Sequence, residues 1–360
     1  MSVTKRYYEL DLLRFIAAFS VVLFHYGFRG HAADGLSPLA TPWLAPAAKY
    51  GFLGVDLFFL ISGFVILMSA AGGSKRQFVV SRLVRLYPAF WICCTATFVI
   101  SLLVGPMRHV SLREYLLNMT MLGSFVGVRE VDSVYWSLGV EIQFYVLVFL
   151  GLLLRQINHA GRLLGIWLAL YVASTIHPIK FVSFLLIPHF APYFIAGATF
   201  FLISRDGVSL YKLAVIAVCY GLIIHNNVRA LADLTGHYHT AFSPLVMGAV
   251  VAGFFAIFFL ISTGMTARFA RRRWVAVGAL TYPVYLIHQN VGFGLFNLGF
   301  GHVNAHLLMW GVVALMLAAA YLVNRAERII APPMRDALLR LVRRSPVTAP
   351  APAVGQQPIT

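Results

Sequence analysis

Leu10–Tyr26 reads LDLLRFIAAFSVVLFHY. It is long and apolar enough to cross a bilayer, yet it carries Asp11, Arg14 and His25. A charged residue inside a spanning helix costs roughly 2.5–3.5 kcal/mol on insertion scales, so it normally faces protein or a water-filled space. Arg14 and His25 are eleven residues apart. At about 100° per residue, eleven steps end some 20° past three full turns, so both side chains share one stripe, about 16 Å apart along the axis. A permanent cation stands at one end of this stripe and a titratable imidazole at the other. Arg14 alone also reads as a residue snorkelling from the helix end. The shared face favours function, because snorkelling requires no alignment with His25.

The rest of the chain reads as an enclosure for that stripe. Of 360 residues, 60% are apolar and 11% charged, against about 25% charged in soluble domains. The mean hydropathy is +0.81. The expectation is an all-α polytopic integral membrane protein. Segments of about 20 apolar residues fall at about 10–28, 51–70, 86–104, 134–154, 163–178, 181–203, 210–226, 241–263, 274–297 and 304–323. Ten spans put both termini on one side. With that side cytoplasmic, 21 of the 28 Lys and Arg fall inside, as the positive-inside rule requires.

Loop placement therefore explains the net charge of +16, and no basic soluble module suggests nucleic acid. Cys93, Cys94 and Cys219 lie in apolar segments without metal-ligand spacing, so neither a disulfide framework nor a metal site is expected. The expected organisation is a membrane domain over 1–330 and a cytoplasmic basic segment with a disordered tail over 331–360. Pro188 and Pro192 mark the sixth span as broken or re-entrant. SLREYLLNMTML, at 111–122, has helical periodicity, and His31–Ala48 reads as an ordered outer loop.

Each polar motif has a plain reading beside the functional one. In GVDLFFLISGFVI (Gly54–Ile66), Asp56 is expected to be a buried partner of His25 or of a backbone group. Ser62–Gly63 serves either helix packing or a ligand's approach. In RLVRLYP (Arg82–Pro88), just before the third span, Arg82 and Arg85 share a face. They either anchor the helix or present two guanidinium forks to phosphate. In YWSLGVEIQFY (Tyr135–Tyr145), Glu141 pairs structurally, with Arg14 as one candidate, or acts in chemistry. In LTYPVYLIHQN (Leu280–Asn290), His288 reads as a hydrogen-bonded packing residue. His237 and His239 read as outer-loop groups, solvated or touching substrate.

Taken in order, these five motifs, with Arg–x10–His in the first and Arg–x–x–Arg in the third, resemble the acyltransferase 3 family of membrane acyltransferases. That family includes O-antigen and nodulation-factor acetylases. Leu12 stands where the family usually has glycine. The resemblance implies an O-acyltransferase that moves an acyl group, by default acetyl, from acyl-CoA to a hydroxyl of a carbohydrate or lipid-linked saccharide. It implies acetyl-CoA as a donor substrate, no permanently bound cofactor, membrane lipids as surroundings and the bacterial inner (plasma) membrane as location. By position it assigns His25, Arg14, Asp56 and Glu141 to catalysis and Arg82, Arg85 and Ser62 to the donor. The rival reading is a secondary transporter or flippase of glycan or lipid intermediates, which would consume no acetyl-CoA.

Overall fold

The computed structural model describes residues 6–104, 110–177, 184 and 186–344. Among the described residues the chain is helical and contains no strand. Ten long helices carry the fold: α1 Tyr8–Phe24, α2 Leu53–Ala71, α3 Lys75–Leu103, α4 Trp136–Leu153, α5 Ala160–Ile176, α6 Ala191–Asp206, α7 Leu210–Tyr238, α8 Pro244–Ser262, α9 Trp274–Gly299 and α10 Ala305–Arg344. Among the described residues, eight helical stretches are long and apolar enough to cross a membrane. They contain every long helix except α6 and α9. The chain is thus a multi-pass, all-α membrane protein.

Three helices begin or end away from their expected places: α3, α7 and α10, the last running to Arg344 where 323 was expected. α3 starts at Lys75, eleven residues before the expected 86, so Arg82 and Arg85 lie on the helix and not ahead of it. Its start is a capping box: Ser74 accepts from the Gln77 N–H while the Gln77 side chain accepts from the Ser74 N–H. This satisfies two of the donors that every helix start leaves free. α7 runs to Tyr238, not 226, which puts His237 on the helix. The polar run beyond 226 is held by an apolar face, Leu231, Leu234 and Tyr238, packed with Phe24, Phe28 and Phe242.

The sixth span is interrupted as its prolines suggest. α6 begins at Ala191, after a turn over 188–190 in which His189 has φ 73°. Residues 181–183 and 185 of that expected span lie outside the described residues, as does the 345–360 tail. Every residue from Ala191 to Ile203 is buried, so α6 is an interior helix. It meets α2 through a pair of glycines. A Cβ on Gly63 would overlap the Phe194 carbonyl, and one on Gly197 would overlap the Leu60 carbonyl. Backbones approach this closely only where side chains are absent.

The main helix contacts pair α2 with α6, α1 with α9, α9 with α10 and α1 with α2. α3 closes against α9 and α10, and α4 packs on α2. α9 contains Pro283, whose missing N–H leaves the Ala279 carbonyl without its helical donor. The Asn324 side-chain amide of α10 supplies one at 3.3 Å. The 111–122 stretch forms a short helix, Leu112–Asn118, under its own Ser111–Glu114 capping box.

Candidate functional site

α1 stops being an α-helix at His25. Residues His25–Arg29 form a π turn, which leads into one more turn, Gly30–Ala32. π turns of this kind concentrate at functional sites. His25 is 4% exposed. Its Nδ1 lies 2.9 Å from the Val21 carbonyl oxygen and 3.1 Å from Nε2 of His288 on α9. Its Nε2 lies 3.4 Å from Nη1 of Arg29, and the Arg29 Nε is 2.9 Å from the Asp34 carboxylate.

His288 is fully buried. Its Nδ1 faces the carbonyls of Tyr285 and Val284 at 2.9 and 3.2 Å. Its own carbonyl accepts from the Tyr26 hydroxyl at 2.6 Å. Two residues along α9, the Asn290 N–H donates to Asp132 at 3.0 Å. The Asp132 carboxylate precedes the fourth span and also accepts from the Val134 N–H at 3.2 Å. Burial pushes its pKa up to about 6, against those two donors. Asp132 thereby ties the start of the fourth span to the helix that carries His288.

The expectation that Asp56 partners His25 or a backbone group is corrected by this geometry. Asp56 is buried and accepts from the Tyr193 hydroxyl of α6 at 2.9 Å. The ring partner of His25 is His288, so His288 is hydrogen-bonded as expected, but to the candidate base and not as mere packing.

The remaining expected residues gather elsewhere. Arg14, Arg82, Arg85, Glu141 and Ser62 all line one cavity of about 90 Å³. Ser62 donates to Glu141 at 2.8 Å, while Gly63 faces α6. Gly63 thus serves helix packing, while Ser62 lines the cavity. The carboxylate that holds Arg14 is Asp11, at 3.4 Å. Arg82 donates to Ser69 at 3.2 Å, and its guanidinium lies 5.7 Å from the ring centroids of Phe78 and Tyr145. With three arginines and one carboxylate in its lining, this cavity suits an anion.

His25 and Asp56 line a second cavity of about 340 Å³, together with Arg29, Trp136, His189 and Tyr193. Val55 and Tyr285 line both cavities, so the two abut there. The Tyr285 hydroxyl is held at 2.7 Å from Ser137 Oγ and 3.1 Å from the Val134 carbonyl. Sequence reasoning missed Arg29, Tyr193 and Tyr285. His237 stands 3.9 Å from Asp34, outside this lining. Among the described residues, no group of three or more His, Cys, Asp or Glu is placed to hold a metal.

The fold and site define a class: a polytopic helical membrane protein with a cationic cavity and a histidine cavity meeting end to end. A family model described as an acyltransferase domain, acyltransferase 3, matches residues 7–325, and the chain belongs to that family. It is similar to nodulation protein 10 of Rhizobium leguminosarum bv. viciae, 28% identical over 44% of this chain and 50% of the relative. It is similar to the peptidoglycan O-acetyltransferase OatA of Listeria monocytogenes, 29% identical over 46% of this chain and 29% of the relative. A third relative is the O-acetyltransferase OatA of Staphylococcus aureus, 30% identical over 38% of this chain and 23% of the relative. The matched part thus spans half the length of the first of these relatives and under a third of the other two. No solved structure matches the chain.

Proposed function

We propose that the chain is a membrane O-acetyltransferase that carries an acetyl group from acetyl-CoA to a hydroxyl of a carbohydrate or lipid-linked glycan. The observation that carries this reading is the division of the polar residues between two abutting cavities. Arg14, Arg82 and Arg85 line one, His25 lines the other, and the boundary falls at Val55 and Tyr285. An acyl-CoA donor has the matching shape, with its phosphates at one end, its thioester at the other and a thin arm between. The arginine pair Arg82 and Arg85 holds the phosphates. Arg14 guides the arm, with Ser62 and Glu141 beside it. The step from Arg14 to His25 is about 16 Å of helix, within reach of an extended pantetheine arm.

At the far end His25 acts as general base. The acceptor hydroxyl gives its proton to His25 as its oxygen attacks the thioester carbonyl. The tetrahedral oxyanion collapses, the C–S bond breaks, and the CoA sulfur takes the proton from His25 and leaves as the thiol. Arg29, beside His25, is placed to stabilise the oxyanion. The distribution of Lys and Arg supports cytoplasmic termini in an inner membrane, with the arginine cavity toward the cytoplasm.

The test is CoA release by the purified protein from labelled acetyl-CoA, with peptidoglycan-derived disaccharides and other glycans as acceptors. Transfer of label to an acceptor supports the reading. Movement of a glycan without thioester cleavage overturns it in favour of transport. The His25→Ala protein should bind acetyl-CoA and transfer nothing. Wild-type turnover by that variant rules His25 out as the base.

A further inference from the structure

The hydrogen bonds around His25 leave one consistent placement of protons. His288 Nδ1 faces two backbone carbonyls, at 2.9 and 3.2 Å. Carbonyls only accept, so Nδ1 carries the hydrogen. In a neutral imidazole the other nitrogen is then an acceptor. His288 Nε2 therefore offers its lone pair to His25 Nδ1 at 3.1 Å. His25 Nδ1 also faces the Val21 carbonyl at 2.9 Å. With two acceptors before it, that nitrogen must be protonated. The hydrogen-free nitrogen of His25 is Nε2, and its neighbour Arg29 can only donate.

The alternative tautomer of His288 would point a lone pair at two carbonyls in a site with no water access. A half-turn of the His25 ring would present carbon to both Val21 and His288. The arrangement is itself anchored. Tyr26 holds the His288 carbonyl at 2.6 Å, and a Cβ on Gly292 would overlap that same tyrosine hydroxyl.

We infer that His288 is a positioning residue, which fixes the tautomer and ring orientation of His25 so that Nε2 carries the lone pair that takes the acceptor's proton once Arg29 turns from it to the oxyanion. The inference rests on the proposed base role of His25. It assigns His288 the task that a buried carboxylate performs in Ser–His–Asp triads, here done by a neutral ring. Once His25 takes the proton, its Nδ1–H still has the His288 lone pair to stabilise the imidazolium. Asp56 accepts from Tyr193, and the partners of the His25 ring nitrogens are Val21, His288 and Arg29.

Three substitutions separate orientation from packing. The side-chain oxygen in His288→Gln reaches the place of Nε2 and accepts there. The shorter His288→Asn reaches only the place of Nδ1, and His288→Leu fills the space without an acceptor. Each purified variant is assayed for acetyl-CoA consumption with peptidoglycan-derived disaccharides, and for acetyl-CoA affinity by calorimetry. The Asn and Leu variants should lose about 100-fold in kcat with acetyl-CoA affinity within about twofold of wild type, while Gln keeps about a tenth or more of the rate. Asn or Leu turning over at the wild-type rate would overturn the inference. So would a Gln variant as slow as Leu, or loss of acetyl-CoA affinity together with rate. If His25→Ala is inactive while the His288 variants are normal, only the positioning role fails. If His25→Ala is active, the base reading itself fails.

Discussion

Gly292 gives the sharpest structural test of the histidine pair. A methyl group there would overlap Oη, Cζ and Cε1 of Tyr26. The ring has nowhere to swing. Tyr26 is 1% exposed, and its centroid lies 4.8 Å from that of Phe296, edge to face. Overpacking of this kind costs about 1–3 kcal/mol. The displaced hydroxyl also gives up its bond to His288, worth about 1 kcal/mol. Against this stands the ordinary gain from replacing a helical glycine by alanine, about 0.5–1 kcal/mol. Gly292→Ala should therefore destabilise by about 1–3 kcal/mol.

Gly221, in α7, supplies an internal control, because a Cβ there meets nothing within 4 Å. Gly221→Ala should show the helix gain alone. Thermal unfolding in detergent should rank Gly221→Ala above wild type and wild type above Gly292→Ala. In a Tyr26→Leu background the added methyl should cost at least about 1 kcal/mol less, the signature of a direct clash. Acetyl-CoA consumption should fall in Gly292→Ala and stay normal in Gly221→Ala. A Gly292→Ala protein as stable and active as wild type would refute the packing argument and weaken the case that Tyr26 supports His288.

Three other outcomes follow from the cavities. Val55→Trp places a large ring where the two cavities meet, and should abolish transfer while acetyl-CoA still binds, as read by calorimetry beside the turnover assay. Arg82→Ala and Arg85→Ala should each weaken acetyl-CoA binding about tenfold or more, the scale of a lost charge-assisted bond, and unchanged affinity in both would remove the phosphate role. Asp56→Ala leaves the buried Tyr193 hydroxyl without its acceptor and should cost about 1–3 kcal/mol in thermal unfolding, whereas Asp56→Asn keeps an acceptor and should cost less.

The apolar spans were readable because a bilayer demands about 20 apolar residues, and little else in the chain meets that demand. The misplaced ends of α3, α7 and α10 share a cause: polar helical turns that continue past the apolar stretch. α3 opens with Lys75, Arg76, Arg82 and Arg85, which composition assigns to a loop. Its Ser74–x–x–Gln77 capping box was the visible sign of an earlier start. α7 ends in a polar run, and its spacing of Leu231, Leu234 and Tyr238 was the sign there. Within the site, spacing along one helix suggested a shared Arg14–His25 stripe, and the structure sets Arg14 on one cavity and His25 on the other. The His25–His288 pair was not legible, because its members are 263 residues apart. Nothing local to either residue distinguishes a histidine that contacts another from one that contacts only backbone. Asp56 shows the same limit, since its partner Tyr193 comes from the packing of α6 against α2, which nothing local to Asp56 announces.

The junction of the two cavities at Val55 and Tyr285 also has an electrical meaning. A membrane that maintains a potential stores about 2.3 kcal/mol per elementary charge per 100 mV, and a continuous watery bore through this protein would dissipate it. The chain instead keeps two small chambers, with the Tyr285 hydroxyl fastened to Ser137 and Val134 at their junction. Under the proposed path, the only object that has to pass is a slender uncharged arm, and that arm fills the opening it makes. The protein would then pass a chemical group between the two sides of an insulator without ever becoming a conductor.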